Sequence, residues 1–101
     1  MEENENVAYC FASAYIWAKM YYDFKQKAMK ENFANFQKNT VYKIYFSNLV
    51  SCLNGMKKST LNQVMNGVDQ VLKENIDTEM VEVCRYIKVA YSKMLEEEKV
   101  L

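Results

Sequence analysis

The sequence contains no histidine and no proline, and only two of its 101 residues are glycine. Without histidine, the chain lacks the side chain that most often serves as a general acid or base near neutral pH. It also lacks a glycine-rich phosphate loop, a dinucleotide-binding fingerprint and a nucleophile elbow. These absences predict a protein that is not an enzyme and that binds no cofactor.

The scarcity of chain breakers favours long helices. Proline is absent and glycine occurs only at 55 and 67, so the strongest interruptions of regular structure are missing. Half of the residues are apolar and about a quarter are charged, as in an ordinary globular protein. The chain also has the length of one domain. We therefore expect a single α-helical domain over residues 1–101.

The three cysteines do not form a recognisable metal-binding or disulfide framework. Cys10, Cys52 and Cys84 are far apart, and no Cys-x-x-Cys spacing occurs. Each lies in an apolar stretch, where a free thiol behaves as a small hydrophobic side chain. The sequence therefore predicts no metal site and predicts buried thiols in a reducing compartment.

The start of the chain predicts a cytoplasmic protein that does not contact a membrane. The first six residues, MEENEN, are acidic and do not resemble the basic start of a signal peptide. The apolar run that follows is shorter than the roughly 20 residues of a membrane-spanning helix.

Residues 7–22 are the most apolar part of the chain, since only Ser13 and Lys19 among them are polar. A helix that is apolar around most of its circumference must be buried on more than one side. Asn4 or Asn6 can cap its start, and nothing interrupts it before residue 38.

Side chains placed at steps of 100° form two apolar stripes on this long helix. The first stripe, which we expect to supply core anchors, contains Cys10, Ala14, Trp17, Tyr21, Phe24 and Ala28. The second contains Phe11, Tyr15, Ala18, Tyr22, Met29, Phe33 and Phe36.

Three shorter helices are expected to follow. Residues 41–46, VYKIYF, also suit a strand, but no second strand-like run exists to pair with them, and Asn54-Gly55 is a good helix stop. Ser59 and Thr60 are expected to open the third helix. Asp77 is expected to cap the fourth. The connection between the third and fourth helices is very short. The prediction is an all-α, four-helix domain with one long N-terminal helix, whose last two helices form an antiparallel hairpin.

Two interpretations of the long helix remain open. It is either the central helix of its own bundle, or its second stripe stays uncovered and binds another molecule. Tyr, Trp, Phe and Met are enriched in the cores of protein interfaces, which favours the second interpretation. We therefore expect an interaction module (an adaptor, assembly subunit or inhibitor) that forms a homo-oligomer or binds another protein. The expected interface residues are Phe11, Tyr15, Tyr22, Met29, Phe33 and Phe36.

An alternative function is suggested by the charge of the middle segment. Residues 19–60 carry eight lysines and two acidic residues, a net charge of +6, and several tyrosines. Lysines neutralise phosphates and tyrosines stack on bases, so this segment suits a nucleic acid or a nucleotide. Arginine, which is better suited to bidentate phosphate contacts, occurs only once. The candidate phosphate-binding residues are Lys19, Lys27, Lys30, Lys43, Lys57 and Lys58.

Overall fold

The computed structural model describes residues 6–31, 41–74 and 76–100. Within these ranges the chain forms four α-helices and no β-strand. The helices are α1 (Val7–Glu31), α2 (Val41–Asn54), α3 (Lys58–Glu74) and α4 (Thr78–Val100). The predicted all-α fold is therefore confirmed, and residues 41–46 are helical rather than extended.

Two of the predicted helix caps are present. The Asn6 side-chain oxygen accepts a hydrogen bond from the backbone N–H of Tyr9 at 3.0 Å. Asp77 does the same for the N–H of Met80, also at 3.0 Å. Each bond satisfies an N–H of the first turn that has no partner within the helix. These side chains therefore fix where α1 and α4 begin. The other cap candidate, Asn4, lies outside the described residues, as do the predicted turns of the first helix beyond Glu31.

The predicted start of the third helix is wrong. Ser59 and Thr60 were expected to open it, but α3 begins at Lys58, and Thr60 is buried within the first turn. The N–H of Leu61 already donates to the carbonyl of Lys57 at 2.8 Å. The N–H of Gly55 continues the bonding of α2 by donating to the carbonyl of Ser51 at 3.0 Å. Residues 55–57 alone connect α2 to α3.

The core lies where α1 packs against the other three helices. It is built from small and aliphatic side chains that solvent does not reach. From α1 and α2 come Ala14, Ala18, Leu49 and Leu53, and from α3 and α4 come Val68, Val83, Cys84 and Ile87. Cys84 is thus a core residue, as predicted, whereas Cys10 and Cys52 are only half-buried.

Helices α1 and α2 pack against each other through aromatic rings. The ring of Tyr45 lies 6.2 Å from that of Trp17 and 5.0 Å from that of Phe24. The ring of Tyr21 lies 5.9 Å from that of Tyr42.

The hairpin of α3 and α4 stays a prediction, which two contacts favour. Asp69 forms an ion pair with Lys88 in the halves of the two helices nearest their connection. Leu61 shares a surface depression with Met94, both of them farther from that connection. This spacing is the one that an antiparallel pair produces.

An aromatic cluster holds α1 between α2 and α4. The ring of Tyr21 lies 5.2 Å from that of Phe46 and meets the ring of Tyr86 edge-on at 4.8 Å. The ammonium group of Lys25 lies 5.4 and 5.3 Å from the ring centres of Tyr21 and Tyr86. Partial burial lowers the pKa of Lys25, but the two tyrosines raise it more, and its pKa lies above the usual value. With these contacts on one side of α1, the opposite side of the helix faces solvent.

Candidate interaction surface

The solvent-facing side of α1 carries no charge over its first three turns. Four exposed side chains form this surface, which we call the outer patch: Ala8, Tyr9, Ala12 and Ile16. Tyr9 is 71% exposed and Ile16 is 59% exposed, which is high for large apolar side chains. At 100° per residue, Tyr9, Ala12 and Ile16 fall within an arc of about 60°. They therefore form one continuous face.

Half-buried aromatic and methionine side chains extend the outer patch on one side. Trp17 and Phe24 both lie against Tyr45 of α2, with ring centres 6.2 and 5.0 Å apart. Met20 lies one turn after Ile16 and is also half-buried. Tyr, Trp, Phe and Met are the residue types that are enriched in interface cores. The composition of this side of α1 is therefore typical of a binding surface.

An ion-pair network marks the end of the outer patch. The ammonium group of Lys19 lies 2.9 Å from Asp23 and 3.1 Å from Glu79 of α4. The hydrogen bonds to Asp23 and Glu79 raise the pKa of Lys19 to about 12. Beyond this network the same side of α1 carries exposed charges, including Lys27 and Lys30. The uncharged surface is thus confined to the N-terminal half of α1.

The structure places most of the predicted interface stripe against the domain itself. Phe11, Tyr15 and Tyr22 are half-buried and pack against the core. Met29 is 56% exposed but lies more than three turns beyond the outer patch. Two further candidates, Phe33 and Phe36, lie outside the described residues. The part of α1 that remains uncovered is a third side, which belongs to neither of the two predicted stripes. The sequence signal for this side is that its residues 8, 9, 12 and 16 carry no charge, but periodicity does not show that no helix covers them.

The predicted phosphate-binding lysines do not converge on one site. Lys27 and Lys30 line an open depression together with two carboxylates, those of Asp23 and Glu79. Lys57 and Lys58 lie where α2 ends and α3 begins. The remaining candidates also lie apart: Lys43 is exposed near the start of α2, and Lys19 is held in the ion-pair network.

No protein-family model, curated protein or solved structure matches this chain. Across residues 6–31, 41–74 and 76–100, no helix combines the length and apolar character needed to cross a membrane. The same residues contain no group of three or more cysteine or acidic side chains placed to hold a metal ion.

Proposed function

We propose that this protein is a cytoplasmic, non-enzymatic interaction module that self-associates through the outer patch of α1. It acts by occupying a surface, as an adaptor, an assembly subunit or an inhibitor does. The observation that supports the proposal is the uncharged three-turn face on which Tyr9 and Ile16 are 71% and 59% exposed. Contiguous exposed apolar surface of this kind marks interaction sites in globular proteins.

A second copy of the chain fits the outer patch because the patch is self-complementary. An antiparallel two-fold axis between Ala12 and Ser13 sets Tyr9 of each copy against Ile16 of the other. Ala12, which has a small side chain, then lies at the axis and lets the two helices approach closely. The same surface is used on both copies, as in most homodimers. The formal net charge is zero, so no net repulsion separates the copies.

The size of the outer patch predicts a weak and reversible dimer. Residues 8–20 span about 18 Å of helix at 1.5 Å per residue. A standard interface buries about 800 Å² on each partner, which exceeds what one helix face of this length offers. We therefore expect a dissociation constant in the micromolar range or higher.

Sedimentation equilibrium at about 10 μM to 1 mM tests this proposal. We expect the mass to rise from one chain towards two chains across this range. Ile16→Glu should abolish the rise, because it buries a charge without a partner in the dimer. The matched control is Ile44→Glu on α2, since Ile44 is 58% exposed but lies outside the patch. A constant mass of one chain, or equal effects of the two variants, would refute the proposal.

The alternative function, binding of a nucleic acid or a nucleotide, has less support. Of the six candidate lysines, only Lys27 and Lys30 share a depression, and Asp23 and Glu79 line it too. Acidic side chains beside the lysines weaken their attraction for a phosphate.

A further inference from the structure

Both glycines of the chain follow an asparagine, and the two Asn-Gly pairs occupy different places in the fold. Asn54 is the last residue of α2, and Gly55 begins the connection to α3. Asn66 and Gly67 lie in the middle of α3. Both asparagines are exposed, so water reaches the two side-chain amides. The pairs therefore differ in their backbone surroundings and not in the exposure of the amide.

An Asn-Gly pair can lose the side-chain amide without a catalyst. The backbone nitrogen of the glycine attacks the Cγ atom of the asparagine, and a succinimide ring closes. Glycine favours this attack because it has no side chain to block the approach and its backbone reaches many conformations. A helical backbone opposes the attack, since it holds the nitrogen in a hydrogen bond and fixes its direction.

The hydrogen bonds of the Gly55 N–H lie at the very end of α2. This N–H donates to the carbonyl of Ser51 at 3.0 Å and to that of Cys52 at 3.3 Å. Such bonds break when a helix end frays, which costs far less free energy than opening the interior of a helix. Fraying here frees the nitrogen of Gly55 while the rest of the domain stays folded.

The backbone of Gly67 has no such freedom. It lies within α3 between the buried residues Met65 and Val68, and a methyl group at this glycine would come within 3.2 Å of the Phe11 ring. Closing a succinimide ring at Asn66 therefore requires the centre of α3 to unfold and to separate from α1.

We propose that Asn54 is a site of spontaneous deamidation in the folded protein, and that α3 protects Asn66 from the same reaction. A bond forms between the nitrogen of Gly55 and the Cγ atom of Asn54, and the bond from Cγ to the side-chain nitrogen breaks. The departing nitrogen takes the proton of the Gly55 N–H and leaves as ammonia. A water molecule then opens the ring at either carbonyl, so position 54 becomes aspartate or isoaspartate.

The new carboxylate lies where the structure disfavours a negative charge. The C-terminal end of α2 carries the negative pole of the helix dipole. Asn54 also lines two surface depressions together with Met94 and Glu98 of α4. Glu98 therefore repels a negative charge at position 54, and deamidation weakens the contact between the ends of α2 and α4.

Peptide mapping of the full chain after storage in mildly alkaline buffer tests the site, with fragmentation by mass spectrometry to assign each asparagine. We expect Asn54 to deamidate at least about tenfold faster than Asn66 and to give both aspartate and isoaspartate. In concentrated urea the two rates should become similar, because neither pair is then held in a helix. Similar rates in the folded chain, or an intact Asn54 there, would overturn the proposal.

Gly55→Ala tests the succinimide route without disturbing the fold. A methyl group at Gly55 would come no closer than 3.5 Å to the carbonyl oxygen of Ser51, which is ordinary contact. The variant should slow the reaction at Asn54 about tenfold and leave Asn66 unchanged, because the methyl group hinders the attack. An unchanged rate at Asn54 would exclude this route.

Asn54→Asp carries the charge of one product from the start. We expect its thermal unfolding midpoint to lie about 2–5 °C below that of the wild type, and added salt should reduce the difference. An unchanged midpoint would show that deamidation does not weaken the domain.

Discussion

The ring of Phe11 on α1 lies directly over Gly67 on α3. A methyl group at Gly67 would come within 3.2 Å of the Phe11 Cε2 atom, which is closer than comfortable packing allows. Glycine in a helix interior costs about 1 kcal/mol relative to alanine. The glycine thus gives up helix stability locally and permits a close contact between α1 and α3.

Gly67→Ala should reveal these two opposing effects. In the wild-type background we expect a stabilisation well below 1 kcal/mol, because the ring of Phe11 must shift to admit the methyl group. In a Phe11→Ala background the ring is gone, and the full helix-propensity gain of about 1 kcal/mol should appear. Urea unfolding of the four proteins measures both effects. Equal gains in the two backgrounds would show that the contact imposes no constraint.

Cross-linking should trap the proposed dimer at its axis. In a chain that carries Cys10→Ser, Cys52→Ser and Cys84→Ala, a new cysteine at Ala12 should form a disulfide with its counterpart in a second copy. The reason is that Ala12 lies within about 1 Å of the proposed two-fold axis along the helix, so its two copies are close neighbours. Non-reducing electrophoresis after mild oxidation measures the covalent dimer.

A cysteine at Ser47 in the same background provides the control for this experiment. Ser47 is exposed on α2 but lies outside the outer patch. It should cross-link no faster than random collision allows. Faster cross-linking at 47 than at 12 would place any contact between copies elsewhere.

Removing the cap of α4 should weaken the domain. Asp77→Ala leaves the N–H of Met80 without the acceptor that it has at 3.0 Å, and we expect a loss of about 1 kcal/mol in unfolding free energy. Asp77→Asn keeps an acceptor oxygen and should cost only a few tenths of a kcal/mol. Chemical denaturation measures both. A similar loss in the two variants would mean that the hydrogen bond is not the stabilising interaction.

The buried thiol of Cys84 should make the domain less stable at alkaline pH. Burial raises the pKa of Cys84 from 9.0 to about 11. Between these values the unfolded chain releases the proton while the folded chain retains it, so unfolding becomes more favourable as the pH rises. One such group contributes at most about 1.4 kcal/mol per pH unit.

Cys84→Ala isolates this contribution because it removes the thiol and leaves the other titrating groups in place. The variant should be less stable at pH 7, since it leaves a cavity in the core. Its stability should nevertheless fall less steeply than that of the wild type between pH 9 and 11. Parallel curves from denaturation at several pH values would contradict the prediction.

The features that could be predicted from the sequence depend on local chemistry. Asn6 and Asp77 cap their helices through side chains that reach backbone groups three residues ahead, and this geometry needs no tertiary information. Residues 41–46 were recognisable as helix because an isolated strand would leave its backbone groups unpaired. The start of α3 was missed because its first backbone bond is accepted by the carbonyl of Lys57, and lysine is not a residue type that marks the start of a helix.

The location of the outer patch could not be predicted from the sequence, and the reason is a different one. Periodicity shows which side chains share a stripe, but not which helix covers that stripe. The side chains of Phe11 and Tyr22 looked available for a partner, yet the crossing of α1 with α3 and α4 covers much of both. Likewise, nothing in the sequence indicates that the ring of Phe11 lies over Gly67.

Trp17 is the only tryptophan of the chain, and it lies against Tyr45 at the contact between α1 and α2. Excitation energy absorbed by the Tyr45 ring can transfer to the Trp17 indole over this short distance. The emission spectrum of the unlabelled protein therefore reports whether the two helices remain together. It gives spectroscopists an intrinsic probe beside the exposed side of α1.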